Sequence, residues 1–346
     1  MTYKHLTDTG CTDYIRVIGD LHINSSLSEA FEELRLDALV VNLNYIEHRK
    51  QVPIILVGDT FDRNTPSLKD IQLFYRFIEK IKQHVYIICG NHDATIFDYI
   101  PETSFTYCKE PVIINNNLML VPWTHLEELQ ENLLTSSFKQ LTLLSHARCT
   151  IPPYIQEETS IQQLSKNFKK VLLGDIHRQP LGLPTNVVYT TSPSNISFTK
   201  NDSKLHGYIE YNVKEDTEVF VQPNIPYKTL VECKTFMEAR KEMMRSHKDM
   251  YGVYRKVRFA GTSSEIRELN QFTTINVVKD FTLKITEIAT GNTEESDKLA
   301  EFLASKLSIS QYAFSYFNET LKIPESVTEE MRIRWEQLRT KRRLHK

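Results

Sequence analysis

The stretch VLLGDIHRQPLG (Val171–Gly182) ends an apolar run on Gly174-Asp175-Ile176-His177. The chain has already written nearly the same thing once, in YIRVIGDLH (Tyr14–His22). Working outward from these two, three further polar sets follow apolar runs. Gly58-Asp59-Thr60-Phe61-Asp62-Arg63 follows Pro53–Val57, Gly90-Asn91-His92-Asp93 follows Val85–Cys89, and Ser145-His146-Ala147 follows Leu141–Leu144. Each apolar run has the length of a buried strand, and the loops beyond strand ends are where α/β sheets hold ligands. A single Asp-x-His is commonly no more than a loop cap. Repetition of such sets after successive strands points to a shared site. Their donors are carboxylate, amide and imidazole with no thiolate, a mixture suited to Mn, Fe or Mg rather than to structural zinc. Glycine ahead of the acid lets backbone approach a crowded cluster.

Such a donor set fits a two-metal hydrolase. Two cations about 3.5–4 Å apart need a bridging carboxylate, flanking ligands and a shared water whose pKa they lower, so that a bridged hydroxide attacks phosphorus in line. An unligated histidine then serves the leaving oxygen.

Between the strands lie helical patterns over 28–49 and 67–83, the second with Ile71, Phe74, Ile78 and Ile81 on one face, and Val112–Val121 reads as a hairpin turning on Asn115-Asn116-Asn117. Alternation of strand and helix gives an α/β domain. With 346 residues, about 40% of them hydrophobic and 25% charged, the chain has room for a large core and a second domain. A net charge of −2 gives no whole-molecule bias toward nucleic acid or membrane, so any nucleic-acid surface is a local patch. Five scattered cysteines without C-x-x-C spacing read as reduced thiols. No apolar h-region and no run of about 20 apolar residues is present, so a soluble intracellular protein is expected.

The texture changes near residue 215. Tyr227–Cys233, a helical 235–246, Val253–Phe259, a helical 263–270 and Thr274–Val278 suggest a small α+β unit over 216–290. Residues 291–346 read as helical and basic. Leu299, Phe302 and Leu303 share a face behind an Asn292 N-cap. The terminal MRIRWEQLRTKRRLHK carries seven Lys or Arg against one Glu, with Met331, Trp335 and Leu338 at helical spacing.

In its order GD-x-H, GD-xx-D, GNHD, H and G-x-x-H, the chain resembles the calcineurin-like metallophosphoesterase superfamily over about 200 residues. Within it, GDTFDRNTPS (Gly58–Ser67), the segment Tyr189–Ile196 leading to Gly207-Tyr-Ile-Glu-Tyr, and the unit after it are similar to the SbcD-type nuclease subunits and the phage recombination endonuclease. The resemblance implies a two-sheet sandwich flanked by helices, with nuclease domain 1–215, an α+β cap 216–290 and partner-binding helices 291–346. It implies two divalent ions, Mn or Mg. Asp20, His22, Asp59 and His177 would surround one, and Asp59, Asn91, His146 and Asp175 the other. His92 takes the place of the catalytic histidine and Asp93 that of the carboxylate that can orient it, while Asp62 is expected to support a ligand or cap its loop rather than be a ligand itself. Position 175 departs from the family, which usually has Gly-His-x-His here. The added carboxylate is expected to make the site more negative, and either to bias it toward harder metals or to weaken the second site.

For DNA, Lys169, Lys170, Arg178, Lys200, Arg255 and Arg258 offer phosphate contacts or are simply solvated charges. The resemblance implies an endonuclease and 3′-to-5′ exonuclease acting in recombination, repair and replication in a bacterial or phage-infected cytoplasm. It further implies a homodimer within a heterotetramer, its C-terminal helices docked on the coiled coil of an SbcC-type ATPase. A small-substrate phosphoesterase and a weakly active DNA-end-binding scaffold are the alternatives.

Overall fold

The structure is a computed structural model that describes residues 3–7, 13–26, 28–45, 52–134, 138–149, 158–177, 180, 182–196, 206–244, 253–270 and 279–285. In chain order its elements are β1 (Lys4–Leu6), β2 (Tyr14–Ile18), α1 (Glu29–Asn44), β3 (Ile54–Val57), α2 (Leu68–Lys80), β4 (Val85–Ile88), β5 (Phe105–Tyr107), β6 (Val112–Ile114) and β7 (Leu118–Val121). There follow α3 (Leu126–Leu133), β8 (Phe138–His146), α4 (Ile161–Asn167), β9 (Phe168–Gly174), β10 (Val187–Tyr189), β11 (Tyr208–Asn212) and β12 (Thr217–Val221). The last described elements are β13 (Tyr227–Cys233), α5 (Phe236–Met244), β14 (Val253–Gly261), α6 (Ser263–Asn270) and β15 (Lys279–Ile285).

Two six-stranded sheets form a sandwich, in the orders β1-β6-β7-β8-β9-β10 and β12-β11-β2-β3-β4-β5. Side-chain alternation along each strand explains why both are apolar on both faces. Ile15, Val17, Ile55, Val57, Tyr86 and Ile88 meet Ile114, Leu118, Leu120, Leu144 and Leu172 between the sheets. Their odd-step neighbours Ile18, Ile54, Leu56, Val85 and Ile87 pack outward on Leu36, Leu39, Leu43, Phe74, Phe77 and Ile78 of α1 and α2. Met119, Leu143, Val171 and Leu173 do the same under Leu129 and Leu133 of α3 and Leu164 of α4. Among the described residues no helix is long and apolar enough to cross a membrane.

Local chemistry sets the element ends. Ser28 caps α1 through the amide of Phe31, and Ser67 and Asp70 form a reciprocal capping box on α2. The buried stripe of α2 runs through Leu73, Phe74, Phe77 and Ile78, one step around from the expected face, and Ile71 is half-buried. Asn115 and Asn116 take φ of 51° and 59° in the β6–β7 turn, a conformation asparagine tolerates better than most residues.

The change of texture at residue 215 marks a turn, not the end of the sheet, because β12 pairs antiparallel with β11 beyond it. The span expected of the cap holds the three-stranded sheet β13-β14-β15 with α5 and α6, built on Val257, Phe259, Ile266 and Leu269. Its third strand lies at Lys279–Ile285, later than the Thr274–Val278 expected, which falls outside the described residues. The helices expected over 291–346, with Leu299, Phe302, Leu303, Met331, Trp335 and Leu338, also lie outside them.

Candidate metal centre

β2, β3 and β4 run parallel, as do β8 and β9, so their C-terminal ends deliver five loops to one edge of the sandwich. One sheet brings Asp20, His22, Asp59, Asn91 and His92, and the other brings His146, Asp175 and His177. The loops are tied together by backbone. The amides of His22 and Ile23 donate to the carbonyls of Asp59 and Thr60, both at 2.9 Å, continuing the β2–β3 ladder past its strands.

Glycines make the approach possible. A Cβ on Gly58 or Gly174 would enter the His146 ring or stand against it, and one on Gly90 would stand well inside 3.0 Å of the Asp59 carboxylate. Four of the site residues themselves sit in left-handed backbone: Asp20 at φ 54°, His22 at 46°, Asp59 at 48° and Asp175 at 92°. Strain of this kind persists only where surrounding structure enforces it.

Three groups of potential ligands lie within 4.8 Å of one another: Asp20, His22 and His177; Asp20, Asp59 and His146; and His22, Asp62 and His92. In the second region His146 Nε2 lies 3.0 Å from Asn91 Oδ1 and 3.4 Å from Asp59 Oδ1. Each imidazole is oriented by its other nitrogen. His146 Nδ1 donates to the carbonyl of Val57 at 3.1 Å, and His22 Nδ1 lies 3.2 Å from Asp62 Oδ1, itself held by Asn24. These partners aim both Nε2 atoms into the cluster, the usual arrangement behind a metal ligand. His22 Nε2 and His177 Nδ1 are buried without a hydrogen-bond partner among the described residues. Orphaned buried nitrogens beside carboxylates are what a cation would satisfy, so the residues present fit divalent metal.

The electrostatics agree. Burial pushes the Asp20 carboxyl up to about 6, against the pull of His146 and His22. Burial also works against charge on Asp59, but His146, His22 and the His92 amide outweigh it and hold Asp59 well below the usual carboxylate range. Burial and the neighbouring His22 push His177 down to about 4, leaving it a neutral imidazole. Burial disfavours charge on His146 too, yet Asp59, Asp20 and Asp175 raise it to about 10.

Residues 14–213, more than half of the chain, match the model of the calcineurin-like phosphoesterase family, and the chain belongs to that family. It is a hydrolase of phosphoesters by class, and the family uses divalent metals. A search of curated proteins found no match. The matched span holds every ligand loop and ends just after β11, before the cap.

Several expectations need correction. The Asp93 carboxylate makes no hydrogen bond to the His92 ring among the described residues. Fully buried, it accepts the amides of Gly90 at 2.7 Å, Thr60 at 2.6 Å and Phe61 at 3.3 Å, riveting two ligand loops together. His92 is oriented instead by the carbonyl of Asp62, 2.7 Å from its Nδ1. The Asp62 carboxylate lies against His22 Nδ1 and also stands in one of the three groups of potential ligands. The extra charge expected of Asp175 is already answered, because Arg148 Nε and Nη2 grip its two oxygens at 2.8 and 2.7 Å. Arg148 was not legible as a site residue, although a cation two positions after a ligand histidine was the available signal. The segment Tyr189–Ile196 is a brace: Ser192 Oγ donates to the carbonyl of Asp20 at 2.8 Å.

Among the described residues, the expected DNA contacts Lys169, Lys170 and Arg258 do not pair with the carboxylates of the site. Lys169 and Lys170 lie at the start of β9, the end remote from the ligands, where Lys170 is buried on Glu218 at 2.7 Å and Lys169 bonds the Val213 carbonyl. Arg258 is exposed on the cap, 3.2 Å from Glu232. Arg178, Lys200 and the side chain of Arg255 lie outside the described residues.

Proposed function

We propose that this phosphoesterase is a DNA endonuclease and 3′-to-5′ exonuclease, the nuclease subunit of an SbcCD-like complex working in the cytoplasm of a bacterial or phage-infected cell. Two divalent ions, Mn or Mg, are its cofactors. Its partners are DNA, a second copy of itself and an SbcC-type ATPase engaged through residues 291–346. The observation carrying this reading is the cap. Beyond the family domain the chain builds a third sheet whose first strand is fastened beside the candidate ligand loops. Lys228 of β13 lies 3.4 Å from Glu32 of α1, which pairs with Arg35 at 2.6 Å, and Arg35 donates to the carbonyl of Leu21 between the ligands Asp20 and His22. A small ester needs no such neighbour; a polymer has flanking phosphates for it to hold.

Divalent cations, when bound, lower the pKa of water and offset charge on the phosphoryl oxygens. Asp59 stands between both ligand groups, Oδ1 toward His146 and Oδ2 3.5 Å from His22 Nε2. A carbonyl can only accept, so the Nδ1 of His92 must carry the proton it gives Asp62. That leaves His92 Nε2, on a ring 41% exposed, to hold or pass a proton at the leaving oxygen.

The test is Mn-dependent cleavage of end-labelled duplex and single-stranded DNA beside a chromogenic phosphodiester, with Asp59→Asn and His92→Ala as controls. DNA cleavage abolished in both variants supports the reading. Chromogenic turnover without DNA cleavage, even with an SbcC-type ATPase added, overturns it in favour of a small-substrate enzyme. Metal binding with no turnover at all overturns it in favour of a scaffold.

A further inference from the structure

A buried carboxylate needs a cation, and the position where the family usually has histidine carries one that is 4% exposed. Its answer comes from the neighbouring strand. The β8–β9 register sets His146 opposite Gly174, so the residue two beyond His146 lies beside the residue after Gly174. Arg148 therefore meets Asp175 side-on, Nε and Nη2 against the two oxygens. This planar fork fixes the guanidinium in orientation as well as in place. The backbone beneath it is held from both sides. The Arg148 amide donates to Glu158 Oε2 at 3.0 Å, the Glu158 amide donates to the Arg148 carbonyl at 3.0 Å, and Glu158 Oε1 is held by Trp123.

So fixed, Arg148 still has work to offer. Its Nη1 has no hydrogen bond among the described residues, and its side chain is 29% exposed at the margin of the cluster. The oxygen gripped by Nη2 is itself 3.8 Å from His146 Nε2. Among the described residues, Arg148 is the one Lys or Arg ion-paired with the carboxylates of Asp20, Asp59, Asp62 or Asp175. An anionic phosphoester approaching four carboxylates needs positive charge, and guanidinium keeps its charge at every working pH.

We propose that Arg148 binds the substrate's non-bridging phosphate oxygens through its free edge, and that Asp175 is a positioning residue that aims it. A carboxylate at position 175 is thereby the means of placing a permanent cation at the His146 side of the site. This rests on the phosphoesterase reading of that site.

The experiment uses the full chain loaded with Mn²⁺, a chromogenic phosphodiester as substrate and inorganic phosphate as competing anion. Mn²⁺ content and thermal midpoint are read in parallel. In Arg148→Gln, KM and the phosphate inhibition constant should rise together by about tenfold, the loss of one charge-assisted contact, with Mn²⁺ content unchanged. Arg148→Lys, which keeps the charge but not the fork, should recover part of that loss. Asp175→Asn should move both constants the same way by a smaller factor. Variants that lose thermal stability or Mn²⁺ but keep the parent's phosphate inhibition would overturn the proposal and leave Arg148 a strut. A parent that turns over normally beside unaffected variants defeats this proposal alone. A parent with neither turnover nor phosphate inhibition defeats the phosphoesterase reading with it.

Discussion

Asp62 Oδ1 lies 3.2 Å from the Nδ1 of His22, and the other oxygen of the same carboxylate is held by Asn24 at 2.7 Å. His22 thus presents Nε2, and only Nε2, to the cluster. Partners of this kind contribute to affinity without touching the metal. Asp62→Ala should weaken Mn²⁺ binding by about 10- to 100-fold, with Asp62→Asn intermediate. Isothermal titration would check this; unchanged affinity in both variants would show that His22 needs no such support.

His146 makes the metal-free protein sensitive to pH. Its folded-state pKa is raised from 6.5 to about 10 by Asp59, Asp20 and Asp175 acting against burial. The stabilisation is therefore complete below 6.5 and is lost as pH climbs toward 10, at a slope approaching about 1.4 kcal/mol per pH unit. Urea midpoints of chelated protein should fall over that range, and less so in Asp59→Asn. Because Nε2 must shed its proton to bind a cation, Mn²⁺ addition at pH 7 should release about one proton. Calorimetry in buffers of different ionisation heat would read it.

Gly90 is irreplaceable for a local reason. An alanine there would drive its Cβ into the carboxylate and amide of Asp59. Gly90→Ala should cost about 1–3 kcal/mol as overpacking and abolish Mn²⁺ binding outright. Gly182→Ala is the control, since among the described residues nothing lies within 4 Å of its Cβ and only its φ of +75° is strained. It should lose some stability and keep its metal.

His92 differs from His22 and His146 in that its ring is 41% exposed while theirs are buried, and its Nδ1 is taken by the carbonyl of Asp62. His92→Ala should lower kcat by about 10²- to 10⁴-fold, the range for a positioned acid or base. Mn²⁺ content and thermal midpoint should stay near the parent values. Loss of metal in this variant would make His92 a ligand instead.

The ligand loops were legible because each is a local statement: a buried strand, a glycine, then a donor. The sandwich followed from strands apolar on both faces. What stayed hidden was whatever depends on pairing between distant segments. Arg148 and Asp175 are 27 positions apart and meet only through the β8–β9 register. Asp93 reads as a companion of His92 by adjacency, yet its side chain turns to three amides on two loops. Lys170 looks like a free charge until β12, which an exposed face disguised, brings Glu218 against it.

The left-handed backbone at Asp20, His22, Asp59 and Asp175 has a consequence for anyone who would engineer or evolve this chain. Glycine would relax each of these positions, most of all His22, since histidine gains little from that conformation and a left-handed residue costs about 1–2 kcal/mol. A selection for heat resistance alone would therefore drift toward glycine at residues of the candidate metal centre. Hardier descendants found that way would be inert, and any thermostabilisation campaign should hold these four positions fixed from the start.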